Sequence, residues 1–364
     1  MKVAIVHDYL NQRGGAERVV ATLHRMFPQA PIFVSLLDRA SLWPGLVGAD
    51  IRPSWMQRLP QRPFKAYLPL YPATFERLDL RAYDLVISSS SAFAKAVVTR
   101  PDAYHVCYCH TPLRCTWDFE RYVARERLGP ARLALPPVIR WLTAWDRRTA
   151  ARPDLFLANS RVVAERIRTL YGRAALVLPP PVEVARCTPG GAPEDFYLVL
   201  SRLVAYKRID LAVAAFNALG TPLVVIGDGP DREALQAMAG PHVRFLGFQP
   251  DAVAQDHLAR CRGLIFPGEE DFGITPLEAN AAGRPVVAFR GGGALDTVHD
   301  GHTGVFFDAP TPEALAAAVQ RAETLAWDPA TLRAHAEGFA EEVFMTRLRT
   351  ILARLLPGQG LEAA

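Results

Sequence analysis

Short apolar strand-like runs alternate with helical segments along almost the whole chain, and this alternation limits the fold more than any other feature. Nearly continuous apolar strands with helices between them are typical of parallel sheets that are covered on both faces. In the first half the strand-like runs are 2–9, 31–37, 83–90, 105–110 and 155–160. In the second half they are 196–203, 222–229, 243–248, 263–267, 285–289 and 304–308.

The segments between these runs carry helical patterns. In the first half they include 16–27, 138–151 and 162–170. In the second half they are 211–219, 231–238, 251–261, 276–282 and 312–325. A last helical pattern runs from about residue 340 to residue 356.

The length of 364 residues exceeds what one ordinary core accommodates. A proline- and glycine-rich stretch, 176–195, suits a linker. We therefore predict an α/β chain of two doubly wound, Rossmann-like domains, 1–180 and 181–339, facing each other across a cleft. The C-terminal helix, within about 340–364, is expected to pack back on the first domain. Ligands of such sheets bind at the carboxyl ends of the strands, so the cleft is the expected site.

Composition excludes several classes of protein. A net charge of +4 spread over the chain predicts no nucleic-acid partner. No apolar run approaches the 18 or so residues of a membrane span, and the N-terminus lacks a signal-peptide core, so we expect a cytoplasmic protein. The five cysteines do not form a disulfide pattern. A zinc site at Cys107, Cys109, His110 and Cys115 is disfavoured because no second ligand pair has metal-binding spacing, and no metal is expected.

The stretch GEEDFGITPLEANAAG, 268–283, combines two opposed signals. Thr275 reads as a helix N-cap, followed by Pro276 and by Glu278 in a capping position. The N–H groups of such a helix end attract phosphate, yet three acids, 269–271, directly precede it. A nucleotide sugar satisfies both, because its diphosphate takes the N–H groups and its hydroxyls donate to carboxylates. Helix capping with solvated acids remains the simpler alternative.

Polar residues also follow other strands. Arg202 lies at the end of the run 196–203 and Lys207 follows it, and two cations at this spacing can hold a diphosphate from two sides. The turn 227–235 carries two glycines and is given no chemical role. In the first half, Gly14 and Gly15 precede a helix and allow close approach of a ligand to the backbone. His110 ends a strand and is a candidate functional histidine.

Taken together, these motifs resemble glycosyltransferase family 4. The resemblance rests on Glu270-x7-Glu278 within EEDFGITPLE, preceded by SRLVAYKRIDLAV and VIGDGP and followed by GRPVVAFRGGG, and it covers the second half. The first half matches more loosely, through RGGAERV and YCHTP, which look most like mannosyltransferase-like members of bacterial surface polysaccharide synthesis. The resemblance implies a GT-B fold and a retaining, metal-independent enzyme that uses a nucleotide-sugar donor.

The resemblance also implies roles for residues. Arg202 and Lys207 are expected to hold the diphosphate leaving group. Glu270 is expected to bind hydroxyls of the transferred sugar, and Glu278 those of the ribose. Donor-binding backbone N–H groups are expected at Phe272, Gly273, Ile274 and Thr275.

In the first half, the resemblance places Gly14 and Gly15 at the diphosphate and His110 beside the transferred sugar. The chain has no Asp-x-Asp sequence, which fits a reaction in which side-chain cations replace a metal. No first-half acid stands out as a nucleophile. We therefore expect front-face attack by the acceptor, with the departing phosphate taking the acceptor proton.

The acceptor is expected at the first half. Segment 55–78 interleaves aromatic residues with Arg58, Arg62, Lys65 and Arg77, which suits either an anionic membrane surface or an ordinary covering segment with buried aromatics. The leading hypothesis is transfer of a hexose, mannose from GDP-mannose, to a glycan or lipid-linked acceptor. A nucleotide-sugar epimerase of the same fold and a catalytically silent nucleotide-sugar-binding subunit are the alternatives. No cofactor is expected in any of the three.

Overall fold

The computed structural model of the chain describes residues 1–60, 64–119 and 135–356. It divides the chain into two units. The first unit comprises Met1–Pro181 together with Glu342–Ala364, and the second comprises Val182–Glu341. Each unit contains its own parallel β-sheet.

The first unit is built on a seven-stranded sheet whose strands all run parallel, in the order β3-β2-β1-β4-β5-β6-β7. The chain crosses from one side of β1 to the other between β3 and β4, so the topological switch point lies between β1 and β4. The strands are β1 (Val3–His7), β2 (Ile32–Val34), β3 (Ile51–Pro53), β4 (Leu85–Ser90), β5 (Tyr104–Cys109), β6 (Leu155–Ala158) and β7 (Ala175–Val177).

The helices that follow these strands bury one face each. In α1, for example, Val19, Val20 and Leu23 are fully buried against the sheet core. Among the residues that the structure describes, the helices between Met1 and Pro181 are α1 (Gly15–Met26), α2 (Tyr71–Glu76), α3 (Arg114–Trp117), α4 (Leu135–Thr149) and α5 (Arg161–Tyr171). Short 3-10 turns lie at Arg39–Ser41, Pro44–Leu46, Trp55–Arg58, Phe64–Tyr67 and Ala94–Ala96.

The second unit repeats the design with a six-stranded parallel sheet in the order β10-β9-β8-β11-β12-β13. Its switch point lies between the neighbouring strands β8 and β11. The strands are β8 (Tyr197–Leu200), β9 (Leu223–Ile226), β10 (Val243–Gly247), β11 (Leu264–Phe266), β12 (Val286–Phe289) and β13 (Gly304–Phe307).

Two apolar clusters fill the faces of this second sheet, one under Leu198 and Phe266 and the other under Val199 and Ile265. The helices are α6 (Ile209–Leu219), α7 (Arg232–Ala237), α8 (Asp251–Arg260), α9 (Ile274–Ala281), α10 (Ala294–Thr297), α11 (Pro312–Glu323) and α12 (Pro329–Glu337). Short 3-10 turns lie at Val184–Arg186 and Ala205–Lys207.

The last helix, α13 (Glu341–Leu355), belongs to the first unit from Glu342 onward. Phe344, Leu348 and Leu352 are buried in the apolar cluster of the first sheet, and the ring of Phe344 lies 5.8 Å from that of Tyr108. Residues 357–364 of the predicted C-terminal helix lie outside the described part. None of the helices within 1–60, 64–119 and 135–356 is long and apolar enough to cross a membrane.

Candidate active site

The candidate functional residues Arg202, Lys207 and Glu270 lie at the topological switch point of the second unit. Loop 201–208 leaves the carboxyl end of β8, and loop 267–273 leaves the carboxyl end of the adjacent β11. Because both strands end at the same edge of the sheet, residues far apart in the sequence meet there. This edge carries Arg202, Lys207 and Glu270.

Lys207 and Glu270 form a direct ion pair between the Lys207 ammonium and the Glu270 carboxylate. Only 12% of the lysine side chain and 21% of the glutamate side chain are exposed. Lys207 ends a short 3-10 turn, and its ammonium also lies 5.3 Å from the centre of the Tyr206 ring. The structure thus joins a cation and an acid that the sequence places 63 positions apart.

Tight backbone packing holds the two loops together. A Cβ at Gly268 would come within 2.7 Å of the Cα and the carbonyl oxygen of Lys207, so only glycine fits there. On the other side, the Gly293 N–H donates to the Glu270 carbonyl at 2.8 Å. The Lys207–Glu270 pair is therefore fixed by three loops, those after β8, β11 and β12.

Arg202 is more exposed than Lys207. Its guanidinium donates to the Tyr206 hydroxyl at 3.2 Å, on the same loop. The backbone of this loop is tied to the turn after β9, because Leu203 N–H donates to the Asp228 carbonyl at 2.9 Å. Arg202 thus lies at the same edge of the sheet, and the contacts described for it do not include Glu270.

Helix α9 begins differently from the sequence-based prediction. Its N-cap is Gly273, with φ at 87°, and Ile274 is the first helical residue, so the prediction of Thr275 as N-cap is wrong. The physical reason is the left-handed backbone at position 273. There a Cβ would lie 2.8 Å from the Phe266 ring, which leaves glycine as the residue that turns the chain into the helix. The exposed helical N–H groups are those of Ile274 and Thr275, since Pro276 has none.

The shift of the helix start also removes the capping role of Glu278. A capping box needs its acid three residues after the N-cap, and that place is taken by Pro276. Glu278 lies in the second turn of α9 and is 7% exposed.

In the first unit, Gly14 is the N-cap of α1 and Gly15 its first helical residue. The loop that precedes them leaves β1, which is next to the switch point of this sheet. His110 directly follows β5, two strands from β1, and its N–H donates to the Ser90 carbonyl at 2.8 Å. The predicted first-half residues thus lie at the carboxyl edge of their own sheet.

The ring of His110 is 9% exposed, and its Nε2 lies 2.8 Å from the Ser89 hydroxyl. The same hydroxyl lies 3.1 Å from Nδ1 of His7, the last residue of β1. Burial, together with the charge of His7, lowers the pKa of His110 to about 3. His110 is therefore a neutral imidazole at physiological pH.

Two buried acids of the first unit were missed by the sequence-based reasoning. The Asp8 carboxylate accepts hydrogen bonds from four consecutive N–H groups, those of residues 91–94, at 2.6 to 3.0 Å, and so fixes the turn after β4. The Glu17 carboxylate, in the first turn of α1, is buried and has no hydrogen-bond partner within the part of the chain that the structure describes. The signal for Asp8 was its place at the end of a strand. Glu17 could only be recognised from three-dimensional contacts.

Segment 55–78 is mainly a covering segment of the first sheet. Tyr71 and Phe75 are buried, and the Tyr67 hydroxyl donates to the Pro60 carbonyl at 3.0 Å. Trp55 is 45% exposed and lies close in sequence to the exposed Arg58. Arg62 lies outside the described residues.

The cysteines that were considered as zinc ligands are buried thiols. Burial raises the pKa of Cys107 and of Cys115 to about 12. They behave as small apolar core residues.

Relatives with curated functions match about half of the chain. A GDP-mannose-dependent alpha-(1-6)-phosphatidylinositol monomannoside mannosyltransferase of Mycolicibacterium smegmatis is 34% identical over 205 residues, 48% of this chain and 54% of the relative. A D-inositol 3-phosphate glycosyltransferase of Geodermatophilus obscurus is 30% identical over 236 residues, 54% of this chain and 52% of the relative. The chain thus spans about half the length of the curated relatives that it matches.

Solved structures show the same fold over nearly the whole chain. HepE of Anabaena, solved in complex with UDP, matches with a TM-score of 0.72 at 16% identity, covering 97% of this chain and 100% of that one. The sucrose-phosphate synthase of Thermosynechococcus elongatus matches with a TM-score of 0.73 at 16% identity, covering 98% and 99%. At this identity the likeness shows the fold, two Rossmann-like sheets of the GT-B class.

Two family models cover most of the sequence. The model for glycosyltransferase family 4 matches residues 13–186, and the model for glycosyl transferases group 1 matches residues 191–338. Their order along the chain follows the order of the two units. The chain therefore belongs to the glycosyltransferases of family 4, with a family 4 domain followed by a group 1 domain.

Proposed function

We propose that the chain is a retaining, metal-independent glycosyltransferase that moves a hexose from a nucleotide sugar to a glycan or lipid-linked acceptor. The observation that carries this proposal is the contact between Lys207 and Glu270 at the switch point of the second sheet. A cation and a carboxylate held side by side match the two parts of a nucleotide sugar, an anionic diphosphate and a neutral sugar rich in hydroxyl groups.

Lys207 is the group suited to the leaving diphosphate. Its side chain is 12% exposed, so a bound phosphate would meet the ammonium in a partly dehydrated place where electrostatic attraction is strong. As the glycosidic bond breaks, negative charge grows on the phosphate, and a fixed cation stabilises that charge by about 3 kcal/mol. Arg202, on the same loop, supplies a second and more exposed cation.

Glu270 is suited to the transferred sugar. Its carboxylate can accept hydrogen bonds from sugar hydroxyls and stabilise positive charge that develops on the ring. Of the two buried acids described next to β1 and in α1, neither is placed as a covalent nucleophile, because Asp8 is engaged by four backbone N–H groups and Glu17 is buried. Front-face attack by the acceptor, with its proton passing to the departing phosphate, therefore remains the expected mechanism.

The start of α9 provides further donor-binding groups. The N–H groups of Ile274 and Thr275 point from the N-terminal end of the helix, where partial positive charge favours a phosphate. Glu278, buried in the next turn, is assigned to the ribose hydroxyls. The roles of Gly15 at the diphosphate and of His110 at the sugar remain predictions from the family resemblance.

GDP-mannose is the preferred donor in this proposal. The support is the mycobacterial relative, which is described as dependent on GDP-mannose. The names of the relatives mention inositol-containing acceptors. They support a polar acceptor that carries hydroxyl groups, and lipid-linked substrates would bring the protein to an anionic membrane surface. Trp55 and Arg58, exposed in the first unit, are candidates for that surface.

A donor panel tests the proposal. The full chain is incubated with GDP-mannose, GDP-glucose, UDP-glucose and UDP-galactose in excess EDTA, and slow hydrolysis of each is followed by release of the nucleoside diphosphate. We expect hydrolysis of GDP-mannose with release of the α-anomer. A converted nucleotide sugar with no free sugar would favour the epimerase, and binding without turnover would favour the silent subunit.

Two variants connect the activity to the site. Lys207→Ala is expected to lower turnover by about 10²-fold or more while changing donor affinity far less, because the cation acts mainly on charge that grows during the reaction. Lys2→Ala, which removes an exposed lysine of the first unit, is the matched control. Restoration of activity by magnesium after EDTA treatment would refute the metal-independent mechanism.

A further inference from the structure

A chain of polar contacts runs across the carboxyl ends of three adjacent central strands in the first unit. It joins Glu17 on α1, His7 at the end of β1, Ser89 on β4 and His110 after β5. All four are buried, with exposures of 1%, 2%, 0% and 9%. The proposed mechanism uses only the last of them.

The proton on His7 Nδ1 is fixed by its partner. Nδ1 lies 2.9 Å from the carbonyl oxygen of Ser89, which can only accept a hydrogen bond. Nδ1 must therefore carry a hydrogen and donate it. The ring of His7 then has its second nitrogen, Nε2, directed at Glu17.

Nε2 of His7 lies 3.9 Å from Glu17 Oε1, within the range of an ion pair but too long for a hydrogen bond. Among residues 1–60, 64–119 and 135–356, neither oxygen of Glu17 has a hydrogen-bond partner. A buried carboxylate without hydrogen bonds requires a neighbouring positive charge, and His7 is the group placed to supply it. A neutral His7 would instead turn a lone pair toward the carboxylate.

The other charged groups around His7 also favour its protonated form. Burial by itself lowers the pKa of His7, but the carboxylates of Glu17 and Asp8 and the Ser89 carbonyl together raise it above the ordinary value. His110, the remaining titratable neighbour, is neutral and does not oppose a charge on His7.

The hydroxyl of Ser89 lies between the rings of His7 and His110. It contacts two ring nitrogens, Nδ1 of His7 at 3.1 Å and Nε2 of His110 at 2.8 Å. Of these two nitrogens only Nε2 of His110 can accept the hydroxyl hydrogen, because Nδ1 of His7 already carries one. With the hydroxyl donating in this way, Nε2 of His110 is unprotonated and the single proton of the neutral ring lies on Nδ1.

We propose that Glu17 keeps His7 as an imidazolium and that Ser89, placed against the Nδ1–H of His7, holds His110 as the neutral Nδ1–H tautomer. Glu17, His7 and Ser89 are then positioning residues, and the N–H at Nδ1 of His110 is the group that donates to a ligand hydroxyl. The positioning role rests on the proposed function, whereas the protonation states do not.

The same pair also affects the N-terminus of α1. Oε2 of Glu17 is 3.0 Å from the place where a Cβ of Gly14 would lie, so this carboxylate sits at the helix end expected to approach the diphosphate. An uncompensated carboxylate there would repel a phosphate. The imidazolium of His7 cancels its charge and leaves the attraction of the helix end intact.

Nuclear magnetic resonance of the ring nitrogens tests the protonation states directly. The full chain is labelled with 15N at histidine, and His7→Asn and His110→Asn variants assign the two rings. At pH 7 we expect both nitrogens of His7 to be protonated, and His110 to be neutral with its proton on Nδ1. A neutral His7, or an Nε2–H tautomer of His110, overturns the inference.

Glu17→Gln keeps the shape of the side chain and removes its charge. We expect the titration midpoint of His7 to fall by at least about one pH unit, as for the loss of a close opposite charge. Glu165→Gln, at an exposed acid of α5, should leave it unchanged. Ser89→Ala is the second variant, in which His110 should lose its single tautomer while His7 stays charged; unchanged spectra in both variants would refute the relay.

Donor hydrolysis separates this inference from the proposed function. In Glu17→Gln the alkaline limb of the turnover–pH profile should move to lower pH with little change in donor KM. Expected spectra without turnover of any nucleotide sugar would refute the proposed function and leave the protonation states standing. Normal turnover and an unmoved pH profile in Glu17→Gln would refute the positioning role.

Discussion

Replacing Glu270 with glutamine should have opposite effects on binding and on turnover. In the structure the Lys207 ammonium is paired with the Glu270 carboxylate, so a diphosphate has to compete with that carboxylate for the cation. Glu270→Gln keeps the shape but removes the competing charge. We therefore expect GDP and UDP, which lack the sugar, to bind more tightly to the variant than to the parent protein.

The exposure of the pair sets the magnitude. Fully exposed ion pairs contribute about 0.2–1 kcal/mol, and losing one partner of a fully buried pair costs about 3–5 kcal/mol. With side chains 12% and 21% exposed, and with an amide oxygen that still accepts from lysine, a change of about 1 kcal/mol is expected. That corresponds to about fivefold tighter binding of the nucleoside diphosphate. Turnover of the nucleotide sugar should nevertheless fall by about 10²-fold, because the carboxylate at the sugar is lost.

Isothermal titration calorimetry with GDP and UDP, at about 0.15 M salt and in EDTA, measures the binding term. Glu269→Gln is the matched control, since this substitution removes the same net charge at the exposed acid next to Glu270. Glu270→Gln should bind GDP and UDP more tightly than Glu269→Gln does. Equal affinities for the two variants, or weaker binding by Glu270→Gln, would show that Lys207 does not exchange Glu270 for the diphosphate.

Two further predictions concern stability in the first unit. The Lys95 ammonium is 2.5 Å from Asp146, and both side chains are buried. Lys95→Met leaves a buried charge without its partner, so it should lower the free energy of unfolding, measured by urea denaturation, by about 3–5 kcal/mol. The double variant Lys95→Met/Asp146→Leu should recover much of this loss. Burial lowers the pKa of His105 and of His110 to about 3, below the value in the unfolded chain. The contribution of each neutral histidine to the free energy of unfolding is therefore complete above pH 6.5 and is lost as the pH falls toward 3. At pH 5 each histidine should lower the free energy of unfolding by about 2 kcal/mol, so His105→Gln should flatten the acid side of the stability–pH curve; an unchanged curve would contradict the buried neutral state.

The long apolar runs of the sequence were sufficient to predict the central strands of both sheets. Strands β3 and β7 were missed because each has three residues at a sheet edge, and β3 contains Arg52 and Pro53, which carry little strand signal. Helix α12 was missed although Asp328 before Pro329 is a readable N-terminal signal, and the Asp328 carboxylate does accept from the N–H groups of residues 330 and 331.

The candidate site was predictable only in its parts. Arg202, Lys207 and Glu270 could be selected because polar residues that follow apolar strands lie at one edge of a parallel sheet. The contact between Lys207 and Glu270 could not be predicted, since it depends on how loops from different strands pack. The same holds for His7 and Ser89, which are 82 positions apart and meet through strand register. Thr275 was assigned to the helix cap because a left-handed glycine leaves no trace in the hydrophobic pattern.

The last prediction concerns Glu278. With the capping role excluded by the Gly273 N-cap, Glu278→Gln should leave the start of α9 intact, and thermal unfolding without nucleotide should differ little from the parent protein. If the carboxylate accepts hydrogen bonds from the ribose, the variant should bind GDP more weakly by about 1–2 kcal/mol. Glu313→Gln, at an exposed acid in the first turn of α11, is the control.

The ribose contact itself is tested by pairing the variant with 2′-deoxy-GDP. Removing the hydroxyl should weaken binding to the parent protein, because the Glu278 carboxylate then loses the hydrogen bond from the ribose. In Glu278→Gln the same removal should cost much less, since the strong acceptor is already gone. The two losses should therefore couple by about 1 kcal/mol in a cycle of the four affinities. Additive losses would mean that Glu278 does not contact the ribose 2′-hydroxyl, and its burial would then have to be explained by contacts within the second unit.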